Sequence, residues 1–150
     1  MDLLKKYHDY SQFELTQAFY EACAKDNLEQ VKHLLENKKY KINPSLEEDL
    51  GFRSACTYGS LSVLKYLTNQ KDYFPNIHAK NDSAFKLATR MQKFDTIQFL
   101  IFDLNIPKTE SILKFLKNNP NKSVESMFEA RELNKQLEFD FNSPKHSLKL

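Results

Sequence analysis

The chain repeats itself, and this limits its fold more than any other feature. Three segments align without a gap: FYEACAKDNLEQVKHLL from Phe19, FRSACTYGSLSVLKYLT from Phe52 and FKLATRMQKFDTIQFLI from Phe85, each 33 residues after the last. The leading Phe is followed three residues on by Ala22, Ala55 or Ala88, then at nine by Leu28, Leu61 or Phe94. Val31, Leu64 and Ile97 come at twelve, and Leu34, Leu67 and Leu100 at fifteen. Residues three apart share a helix face, so each copy predicts a short first helix carrying Phe and Ala and a second carrying three apolar residues. Such a pair cannot bury its own apolar face, and stacking copies makes the core continuous. The recurrent alanine suits close helix approach; a larger side chain there would cost about 1 to 3 kcal/mol of overpacking.

The two helices of a copy need a break. Gly59 provides a residue tolerant of left-handed backbone, and Ser60 an N-cap before Leu61. Asp26 and Asn27 hold these places in the first copy, with Asn27 and Gln30 at capping-box spacing. In the third copy Gln92 and Lys93 make a poor break and a poor cap. A non-glycine residue forced left-handed costs about 1 to 2 kcal/mol, so this copy is expected to be the least well formed.

Composition agrees with helices. Only two glycines occur in 150 residues, which argues against phosphate-binding glycine loops and most all-β folds. The hydrophobic fraction of 41% and charged fraction of 28% are those of a chain that folds, at a length fitting one domain. The net charge of +2 separates 22 basic from 20 acidic side chains, with no dense basic run beyond Lys38, Lys39 and Lys41, so nucleic acid is a poor candidate partner. Cys23 and Cys56 lack a CxxC partner or a secretory framework, and they share one repeat position, as buried small hydrophobes would. The N-terminus lacks the apolar core of a signal peptide, and the longest apolar run, Phe99 to Phe102, is far too short to cross a bilayer. A cytoplasmic protein without membrane contact is expected.

At these offsets and this period, FRSACTYGSLSVLKYL resembles the ankyrin helix pair, and the stretch Asn76 to Asn81 resembles the hairpin that precedes it. The resemblance covers about Thr16 to Ile106 and implies an all-α, ankyrin-like helical repeat solenoid. The family's Thr-Pro-Leu-His opening is replaced by Gln17-Ala18-Phe19-Tyr20, Leu50-Gly51-Phe52-Arg53 and Ser83-Ala84-Phe85-Lys86, so irregular hairpin loops are expected. The expected layout is one domain over 1–138: an N-terminal cap at 1–15, repeats at about 16–48, 49–81 and 82–108, and a C-terminal cap at 109–138. Leu3, Leu4 and Tyr7 suggest a short leading helix, and Ser11 with Glu14 a capping box. Thr109 to Lys117, with Ile112, Leu113 and Leu116, and Ser123 to Leu137 supply the last two helices, leaving 139–150 as a flexible tail.

No nucleophile–base, zinc, phosphate-loop or paired-carboxylate signature can be assembled from local spacing, and His8, His33, His78 and His146 share no ligand spacing. Neither a catalytic site nor a cofactor or metal is expected. The resemblance implies a protein partner met on the concave side, through first-helix ends and hairpin tips. Carried over by position, this surface comprises Lys25, Thr57, Tyr58, Arg90 and Met91 with Glu47, Glu48, Asp49, Lys80 and Asp82 from the loops. Tyr and Arg are enriched at binding hot spots. Acting so, the chain would be an adaptor or an inhibitor, as a monomer or weak homodimer. Abundant Lys, Asn, Ile and Phe fit an AT-rich coding sequence, which motivates the alternative of a phage or mobile-element protein that blocks a host defence or regulatory protein, or a nucleic-acid complex.

Overall fold

A computed structural model describes residues 6–143. Eight α-helices and no strand occur among them. The chain divides into two compact units, Met1–Ile97 and Gln98–Leu150, where the sequence suggests one domain.

The first unit is built from helix pairs: α1 (Gln12–Ala24) with α2 (Leu28–Glu36), α3 (Leu46–Tyr58) with α4 (Leu61–Leu67), and α5 (Ala79–Arg90) with α6 (Phe94–Gln98), the last crossing the boundary between units. Ser11 starts α1 as expected, its hydroxyl accepting from the Glu14 N–H while the Glu14 carboxylate accepts from the Ser11 N–H. The leading helix drawn through Leu3 and Leu4 reaches outside the described residues; Tyr7 lies inside them and is buried. First helices pack on first helices, α1 on α3 and α3 on α5, and α2 packs on α4. Phe19, Phe52 and Phe85 are fully buried, as are Ala55, Ala88, Val31, Leu64, Ile97, Leu34 and Leu67, and Ala22 nearly so. The position nine after Phe does not join them: Leu28 and Leu61 are half-buried and Phe94 is exposed.

The turn between paired helices is the same in all three copies. Asp26, Gly59 and Gln92 are left-handed, with φ of 53°, 81° and 53°. After each, a backbone N–H reaches back five residues, Asn27 to Ala22, Ser60 to Ala55 and Lys93 to Ala88, the hydrogen bond of a Schellman cap. The third turn is therefore as regular as the others, against the expectation that this copy is the weakest. Its departure comes later, in a π-helical turn at Phe99–Asp103.

Where hairpins are expected, the chain makes a left-handed turn of three residues. Glu47, Glu48 and Asp49 all have positive φ, and so do Lys80, Asn81 and Asp82, 33 residues on. Non-glycine residues here cost about 1 to 2 kcal/mol each, and side chains compensate. Arg53 donates from Nε to Glu48 O at 2.9 Å and from Nη2 to Glu47 O at 2.8 Å, satisfying carbonyls that no helix supplies. Asn43 and Asn76 open the two turns alike, each side chain accepting from the N–H two residues on, at 3.0 Å.

The second unit holds the π turn, α7 (Glu110–Asn118) and α8 (Lys122–Asn142). Thr109 caps α7, and Phe115 takes the buried place expected of Leu113, which is exposed; Ile112 and Leu116 are buried as expected. α8 runs to Asn142, so Phe139 to Asn142 are helical and not tail; Pro144 to Leu150 lie outside the described residues. Arg131 is buried on α8 and donates Nη1 to Ile101 O at 3.3 Å and to Ile106 O, tying a carbonyl of the π turn and one just after it to α8.

Candidate functional site

The ten residues drawn from the sequence do not converge on one surface. Lys25, Tyr58 and Met91 occupy one repeat position at the C-terminal ends of the first helices. Because α1, α3 and α5 pack side by side, these three form a column, flanked by Arg90 and half-buried Thr57. Glu47, Glu48 and Lys80 sit at the other ends of the same helices, on the order of 15 Å away for a helix of this length. Asp49 and Asp82 belong to neither surface.

Those two aspartates are a correction to the expected surface, being only 5% and 3% exposed. The Asp49 carboxylate accepts from Tyr73 Oη at 2.6 Å and from the Asn76 N–H at 3.1 Å, anchoring the linker into the next copy. Asp82 Oδ1 lies 2.6 Å from His78 Nδ1. A buried carboxylate is tolerated only when its oxygens are satisfied, so these acids hold the left-handed turns and are not offered to a partner. Burial and the hydrogen bond to Asp49 push the Tyr73 phenol far up, and Tyr73 thereby stays neutral as the donor. Pro75 beside it is buried and Phe74 is exposed.

The exposed turn residues are tied to each other. Lys80 Nζ reaches Glu48 Oε1 at 2.6 Å, joining successive turns, and this hydrogen bond lowers the Glu48 carboxyl from its usual range. Lys25 is ion-paired with Glu21 one helical turn back. The column end is more apolar. Tyr58 is 58% exposed, Met91 50% and Phe94 41%. Tyr58 and Phe94 line one shallow hollow of about 320 Å³ with Gly59, Gln92, Lys93 and Asp95.

Sequence reasoning missed Phe94, because its repeat position reads as core. The signal was its size: the other copies have Leu there, only half-buried, and a larger Phe at such a position leaves more of its ring exposed. Cys23 and Cys56 are fully buried, and Thr89 takes their position in the third copy, also buried. Among the described residues no group of three or more His, Cys, Asp and Glu is placed to hold a metal, and no described helix is long and apolar enough to cross a membrane. No family model, curated protein or solved structure matches the chain.

Proposed function

We propose that this protein is an ankyrin-like repeat module that binds another protein, as adaptor or inhibitor, through the column at the first-helix ends. The solenoid reading draws support from the 33-residue recurrence of the left-handed turn residues Asp26, Gly59 and Gln92 together with the buried Phe and Ala positions. The binding reading rests on one observation: exposed Tyr58 and Phe94 line one hollow that is open to solvent, and Arg90 and Met91, both exposed, directly precede its lining residue Gln92 in the chain. Exposed apolar side chains scattered singly need no explanation, whereas a grouped aromatic, methionine and arginine set has the composition of an interface core. Glu47, Glu48 and Lys80 then serve as a polar rim at the far end or stay outside the contact.

The test is affinity capture of a partner by the full chain, followed by titration of that partner against Tyr58→Ala/Arg90→Ala. Binding should weaken by at least about 2 kcal/mol, roughly 30-fold, with the thermal unfolding midpoint little changed. Unaltered affinity would remove this surface from the contact.

A further inference from the structure

The second half of α8 is a helix without a core. Val124, Phe128 and Arg131 anchor its first half, yet every residue from Glu132 to Phe141 is exposed. Leu133, Leu137 and Phe141 lie four residues apart, within an arc of about 80° at 100° per residue, on the side turned away from the anchoring residues. Ala130 continues the same arc.

Charge along this stripe is one-sided. Glu129 and Asp140 border one edge and Glu138 the other, and among the described residues none of the three is in an ion pair. Lys135 and Arg131 are both directed to Glu132. The helix has no basic residue in its last turn, so among the described residues the negative end of its dipole adds to Glu138 and Asp140. An isolated helical stretch of this length is marginal in water, and the acids at its C-terminal end add to that cost.

We propose that the outer face of α8 docks a basic amphipathic helix of another protein, with its apolar side chains on Leu133, Leu137 and Phe141 and its cations against Glu129, Glu138 and Asp140. That occupant relieves both defects at once: it covers the stripe and supplies the positive charge that the C-terminal turn lacks. A second copy of this chain is a worse fit, because its stripe is bordered by the same acids and pairing sets carboxylate against carboxylate. The inference is independent of the Tyr58 surface, which lies in the other unit.

The test uses the full chain and a fluorescent Leu/Lys peptide of about 14 residues with apolar residues at helical spacing, read by anisotropy, beside a peptide of the same composition in scrambled order. The ordered peptide should bind, more weakly as salt rises. Leu137→Ser/Phe141→Ser should weaken it at least about tenfold, and so should Glu138→Gln/Asp140→Asn. The second pair removes only unfavourable charge from the helix end, so loss of binding there cannot come from unfolding. Absence of binding, equal binding of the scrambled peptide, or equal binding by either double variant overturns the proposal. So does sedimentation showing a homodimer that Leu137→Ser/Phe141→Ser dissociates, since a second copy is then the occupant.

Discussion

The Asp26 carboxylate accepts a hydrogen bond from the backbone N–H of Val63 at 2.9 Å, so a turn in one helix pair caps the second helix of the next. Val63 is the third residue of α4, one of the N–H groups that a helix leaves open, and the residue in the N-cap place does not serve it. Ser60 instead donates its hydroxyl to Ala24 O at 3.0 Å, back across the same junction. The turns of the first two pairs are thus joined by these two polar contacts, and Tyr66 Oη adds a third between the pairs by donating to Glu36, beside the apolar packing. At the following junction Gly59 has no side chain to repeat the role, and the aliphatic stem of Lys93 lies against it.

Asp26 therefore carries two opposed effects, which substitution can separate. Asp26→Ala should lose the cap, worth about 1 kcal/mol, and place a β-carbon in left-handed backbone that Ala accepts less readily than Asp. Asp26→Gly should lose the same cap but relieve the backbone, for a net change near zero. Urea denaturation of the two variants gives the comparison. If they are equally destabilised, backbone conformation is not a factor at this turn.

Gly51 is needed for space and not for backbone freedom. A β-carbon there would sit 2.7 Å from Cε1 of the buried Phe19 ring and 3.3 Å from Cys23 Sγ. The equivalent residues are Ala18 and Ala84, so this position is small in every copy, and the second copy alone has no room for a methyl group. Gly51→Ala gains about 0.5 to 1 kcal/mol of helix propensity and loses about 1 to 3 kcal/mol by overpacking, for a net destabilisation. Adding Phe19→Leu should rescue part of the loss in a double-mutant cycle.

The apolar period identified the helix pairs because burial repeats with the residues that cause it, and Phe19, Phe52 and Phe85 are equivalent in structure as in sequence. The polar contacts between pairs were not legible in the same way. Nothing in the spacing of Asp26 and Val63, or of Tyr73 and Asp49, distinguishes a buried hydrogen bond from two solvated side chains. The left-handed turns at Glu47 to Asp49 and Lys80 to Asp82 run against residue preference, so local sequence points away from them. This is also why Asp49 and Asp82 read as surface acids. Tyr58 and Met91 were expected on the surface because the ankyrin resemblance puts their repeat position at a first-helix end, and both are exposed.

Cys23 and Cys56 should be silent thiols in the folded chain. Both are fully buried, and burial pushes each well above the usual thiol range, so little reactive thiolate exists near neutral pH. With an excess of aromatic disulfide reagent at pH about 8, native protein should label at least about a thousandfold more slowly than urea-unfolded protein, the rate being limited by opening. Fast labelling of either cysteine would show that the junction between α1 and α3 opens separately from the rest.

Stability should fall at alkaline pH, with Tyr66 as one named contributor. Its phenol is pushed up to about 12, first by burial and then by its 3.0 Å hydrogen bond to the Glu36 carboxylate, while the unfolded phenol ionises near 10. Between these values the unfolded chain has lost a proton that the folded chain keeps, so stability is complete below pH about 10 and declines as pH rises toward 12. Tyr73, raised by burial and by Asp49, acts in the same direction, as do the two thiols. Tyr66→Phe cannot ionise and should flatten the decline, while losing the link to Glu36 at neutral pH. Denaturation midpoints at several pH values for the two proteins decide the matter: parallel curves would mean that Tyr66 ionises alike in the folded and unfolded chains.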